Sequence, residues 1–67
     1  MAVKDDKATA DLAASYRRSA QMGREAVAFA AKSGIDLPAI RDGAVHFDKW
    51  AEDLENGTTY VTTEHGS

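Results

Sequence analysis

The sequence predicts an all-α fold, an antiparallel helical hairpin of two main helices over residues 1–57, with a Thr-rich tail over 58–67. Two stretches repeat their apolar residues at three- and four-residue steps, the period of one helix face. Between them lies "SGIDLP", a glycine stop followed by a proline start, in the order that helix ends favour. The length of 67 residues leaves room for one small domain and no more.

The first helix is expected from about Asp6 to Ser33. Asp5 and Asp6 supply candidate cap oxygens and favourable charge for its first turn. Lys32 sits in the last turn and Gly34 just past it. At 100° per residue, Leu12, Tyr16, Ala20, Gly23, Val27 and Ala30 share a narrow arc, which Met22, Ala26 and Phe29 extend on one side. Arg17, Arg18, Gln21, Arg24, Glu25 and Lys32 take the other face. Gly23 is either a notch for a facing ring or a break between two shorter helices, since glycine has low helix propensity.

The second helix is expected to start with Asp36 as cap and Pro38 in its first turn. Ile40, Ala44, Phe47, Trp50, Ala51 and Leu54 form its apolar stripe, and Asn56 with Gly57 closes it. Gly43 is a second point where a kink is expected, at a cost of about 1 kcal/mol relative to alanine. Counting equal rise from a bend near Gly34–Pro38, facing positions sum to about seventy, which pairs Gly23 with Phe47, Ala20 with Trp50 and Tyr16 with Leu54. Small residues then meet large ones, which permits close packing.

The tail "TTYVTTEHGS" is β-prone but has no evident sheet to join. It is expected to be flexible or to order on a partner, with Tyr60 and Val61 as anchors. A chain this short buries only ~60% of its unfolded surface. It has no cysteine for disulfides, thiolate metal sites or thiol catalysis. A partner chain is the remaining support, so the hairpin is expected to dimerise into a four-helix bundle through the flank that two helices cannot enclose. Met22, Phe29, Phe47 and Trp50 are the candidate contacts on that flank.

The net charge of −3 hides an asymmetry. Residues 1–33 hold six basic and four acidic side chains, whereas residues 34–67 hold two basic and seven acidic. The halves attract when folded side by side, and neither looks like a polyanion binder. The first residues have acids where a signal peptide needs a basic, then apolar, run, and no stretch approaches the ~20 apolar residues of a membrane span. A soluble, cytoplasmic chain is expected.

Ala30, Gly34, Ile35 and Ile40 resemble the spacing of a helix-turn-helix corner. The resemblance implies three helices near 6–20, 24–33 and 38–55, with Arg41, Asp42, Val45 and His46 on the exposed side of a DNA-reading helix. Two features disfavour DNA. Gly43 falls where that helix should pack an apolar residue, and the region is acidic where phosphate neutralisation needs Lys and Arg.

Other constellations are weak. Asp42 and His46 at i, i+4, with Asp53 on the same arc, have metal-ligand spacing but read better as a solvated acidic face. His65 stands alone in the tail, and "NGT" at 56–58 matches a glycosylation sequon that helix capping explains. No phosphate loop and no Ser/His/Asp set suggest catalysis, so no enzyme, cofactor, metal or small-molecule substrate is expected. The expected function is a non-catalytic protein-interaction or regulatory module, of a build that resembles antitoxin-like or phage-type regulators. It would bind another protein, or a second copy, through the apolar flank or the tail. A helix-turn-helix DNA-binding regulator is the alternative, and a structural or assembly subunit the third class.

Overall fold

The computed structural model describes residues 2–64. The order is β1 (Ala2–Lys4), α1 (Asp6–Ala31), α2 (Pro38–Asn56) and β2 (Thr62–Glu64). The two helices pack against each other as an antiparallel hairpin, and the strands form a two-stranded antiparallel sheet at the end away from the bend. The molecule is a rod, 56 × 18 × 15 Å, with a radius of gyration of 15.5 Å. A compact chain of this length would have a radius of ~11 Å. No helix among the described residues is long and apolar enough to cross a membrane.

Each helix end has a local cause. The Asp5 carboxylate accepts the Ala8 N–H at 2.9 Å, capping α1. At the far end Gly34 adopts φ 74, which lets the Gly34 and Ile35 N–H groups return to the Ala31 and Ala30 carbonyls. Gly57, at φ 80, repeats the device for α2, with the Thr58 N–H donating to the Asp53 carbonyl. Pro38 opens α2 as expected, but Asp36 does not cap it. Leu37 holds the cap position without a side-chain bond, and Asp36 is paired instead with Arg41 at 3.1 Å.

Both helices run unbroken through Gly23 and Gly43. The propensity cost of one glycine is about 1 kcal/mol, too small to interrupt a long helix fixed by tertiary packing. The three-helix arrangement implied by the helix-turn-helix spacing is therefore not formed.

The buried seam is made of small side chains: Ala13 and Ala20 on α1 meet Ala44 and Ala51 on α2, with Leu54 and Thr9 completing it. The facing register differs from the equal-rise count. A Cβ on Gly23 would lie 3.3 Å from the Ala44 Cβ and 3.5 Å from Ile40 Cγ2, so Gly23 is a notch for Ala44 and Ile40 rather than for Phe47. Residues 35–37 are not helical. A non-helical chain advances up to ~3.3 Å per residue against 1.5 Å in a helix, which sets α2 back along α1 by about three helical residues. Ile40, expected to face the first helix, is 42% exposed at the seam's margin, and Trp50, expected in the core or at an interface, is 47% exposed there.

The largest correction concerns the tail. Its strand-forming residues do have a sheet to join, because the first residues of the chain supply the other strand: Ala2 pairs with Glu64, Val3 with Thr63 and Lys4 with Thr62. The described chain is thus two helices plus a small sheet rather than purely α-helical.

The two glycines yield opposite expectations. A Cβ on Gly43 meets nothing within 4 Å, so Gly43→Ala should raise unfolding stability by about 0.5–1 kcal/mol. Gly23→Leu must overfill the contact with Ala44 and should cost about 1–3 kcal/mol. Urea unfolding followed by circular dichroism measures both.

Candidate functional site

The two long sides of the hairpin differ. One is closed by ion pairs between the basic first helix and the acidic second. Arg17 reaches Glu55 at 2.6 Å and Asp48 at 3.2 Å, and Arg24 also pairs with Asp48. The Glu55 hydrogen bond is the main cause of a raised Arg17 pKa, with Asp48 adding to it. These groups are partly exposed, so the pairs fix the rotation of the helices more than they stabilise them.

The opposite side carries the rings. Tyr16 lies 5.7 Å from both Phe47 and Trp50, centroid to centroid, and Phe47 meets Trp50 edge-on at 5.5 Å. His46 is 6.0 Å from Trp50. These tilted and T-shaped geometries are the favoured ones for ring quadrupoles. Tyr16 on α1 thus packs across the hairpin on two rings of α2; Tyr16 and Phe47 are half-buried and Trp50 is exposed.

Beside this cluster opens a groove of about 280 Å³, lined by Leu12, Tyr16, Trp50, Leu54, Thr59, Tyr60 and Val61. Its third wall is the tail, held by a hub at the start of α1. The Thr9 hydroxyl donates to the Asp5 carbonyl at 2.7 Å and accepts from the Val61 N–H at 3.0 Å. The Asp5 N–H donates to the Val61 carbonyl at 2.9 Å, and the Thr63 hydroxyl donates to the Asp5 carboxylate at 2.6 Å. Lys4 Nζ stands 5.5 Å from the Tyr60 ring centroid, a cation–π contact from β1.

Of the residues singled out from sequence, Trp50, Tyr60 and Val61 meet at this groove, with Phe47 behind them. Met22 and Phe29, 63% and 76% exposed, lie on the outer stripe of α1 and belong to a different surface. Of the residues named for DNA contact, Arg41 is engaged by Asp36, Val45 is 62% exposed and His46 stacks near Trp50. Asp42 is exposed. No group of three or more His, Cys, Asp or Glu among the described residues is placed to hold a metal. His65 lies outside the described residues.

Leu12, Tyr16 and Leu54 were legible as apolar positions but not as groove walls. Thr9 had no visible role, because its two bonds join parts of the chain that only the fold brings together. The groove lining offers the hydroxyls of Tyr16, Thr59 and Tyr60 and apolar surface, without carboxylate, imidazole or amine. Such a lining suits burial of an apolar group.

Thr9→Val keeps the volume and removes both hydroxyl bonds of the hub. Hydrogen exchange at the Val61 N–H should rise by at least tenfold, a loss of about 1.4 kcal/mol of local protection. The Asp5 pKa is lowered from its ordinary 3.8, chiefly by the Ala8 N–H and then by the Thr63 hydroxyl. A depressed carboxylate stabilises above its unfolded pKa and loses that contribution as pH falls through the folded value. Only the Thr63 bond links tail docking to this carboxylate, so docking, followed by the Val61 amide resonance, should weaken as pH falls below the ordinary 3.8, and Asp5→Asn should abolish that step.

Compared with known proteins, the chain matches no family model, no curated protein and no solved structure.

Proposed function

We propose that the chain is a small non-catalytic protein-interaction module of regulatory type, working as a homodimer and gripping an apolar segment of another protein in the aromatic groove. One observation carries the groove reading. Trp50 and Tyr60, from a helix and a tail, stand about half exposed around one apolar concavity. Trp and Tyr dominate the binding energy of protein interfaces because each buries a large ring at small entropic cost.

The cavity is small and open for an enzyme, whose pockets usually enclose ~300–1,000 Å³ with convergent polar groups. Its walls also lack an acid–base pair. An inserted side chain of a partner would fill it, and the Tyr60 edge would then close over that side chain.

The test is capture from a lysate of the cell that makes the protein, comparing the native chain with Tyr60→Ser and Trp50→Ser. Each protein recovered by the native chain should bind the variants at least tenfold more weakly, a difference of about 1.4 kcal/mol or more. Circular dichroism checks that both variants remain helical. Equal recovery by native and variant chains would exclude the groove as the contact.

A further inference from the structure

The outer stripe of α1, turned away from α2, reads as a sequence in its own right: Asp11, Ser15, Arg18, Met22, Glu25, Phe29, Lys32. The steps are four, three, four, three, four and three residues, so these side chains share one face of α1, with Met22 and Phe29 its two apolar members. All seven side chains are exposed, Met22 by 63% and Phe29 by 76%. Lys32 follows α1 but keeps helical geometry, φ −62 and ψ −26, so it continues the stripe.

The chemical order along this stripe is acid, small, base, Met, acid, ring, base. Laid antiparallel on itself about Met22, it sets Asp11 against Lys32 of a second copy, Ser15 against Phe29, and Arg18 against Glu25. Met22 meets its own counterpart on the axis. Every charge then faces its opposite, and each large ring faces a small serine. A parallel pairing would instead oppose Asp to Asp and Arg to Arg along the whole length, which is repulsive.

We propose that a second copy of this chain docks antiparallel along that stripe, with the two-fold axis at Met22. Two reciprocal Arg18–Glu25 pairs and two Phe29–Ser15 contacts flank the axis, as a two-fold interface requires. The ion pairs inside the hairpin use Arg17 and Arg24, and Arg18 forms no ion pair among the described residues.

This pairing deepens the dimer half of the proposed function by naming its surface. It places α1 against α1 with the α2 helices outside, rather than the closed four-helix bundle, and leaves Trp50 and Tyr60 free for another protein.

The test uses the purified full chain alone, so its outcome is separate from capture by the groove. Light scattering should give twice the 7.2 kDa chain mass. Arg18→Glu should weaken self-association at least tenfold, and adding Glu25→Arg in the same chain should restore it, since both reciprocal pairs reverse together. The chain has no native cysteine, so Met22→Cys should link two copies through a short bis-maleimide, whereas Lys49→Cys on the far side of α2 should not. A monomer at millimolar concentration, a dimer indifferent to Arg18→Glu, or linkage at position 49 in preference to 22 would each overturn the proposal. All four positions are solvent-exposed, and unchanged circular dichroism separates lost pairing from lost folding.

Discussion

The close contact of two helices through alanine and glycine governs the rest of this molecule. Ala20 and Ala51 have no exposed surface, Ala13 and Ala44 almost none, and among the described residues no large side chain is fully buried. Tyr16 on α1 meets Phe47 and Trp50 on α2 along one margin of this seam, and the other margin carries Arg17, Arg24, Asp48 and Glu55. The hairpin thus has both an apolar side and a charged side. The apolar side becomes a groove only because the tail returns to wall it.

That return depends on a few polar bonds at the start of α1. Asp5 does three things at once: it caps the helix, holds Val61 by its backbone and holds Thr63 by its carboxylate. Thr9, one turn along, bridges the same two segments. A two-stranded ribbon of three residues per strand is marginal by itself. Its attachment to a capped helix end makes the ribbon's position a consequence of the hairpin rather than an independent element. The groove wall it forms is correspondingly the least firmly held part of the site.

Much of this was legible in the sequence, and apart from Asp36, which pairs with Arg41 instead of capping α2, the failures are non-local. Helix periods, the Asp5 cap, the Gly34 and Gly57 stops and the Pro38 start are local signals, and they placed both helices within two residues. The facing register is not local. It depends on how far residues 35–37 travel, so Gly23 met Ala44 and Ile40 where equal-rise counting pointed to Phe47. The β1–β2 pairing joins residues about sixty positions apart, and strands of three residues carry no readable period. Trp50, Tyr60 and Val61 stood out by type, but their union at one groove, and the separation of Met22 and Phe29 from it, required the fold.

The seam itself is the most direct thing to measure. In a nuclear Overhauser spectrum, the Gly23 α-protons should show strong cross-peaks to the Ala44 methyl and the Ile40 γ2-methyl, with unbroken helical amide contacts through residue 23. Cross-peaks from Gly23 to the Phe47 ring instead, or a loss of sequential helical contacts near 23, would contradict the close-packed alanine hairpin and everything built on it.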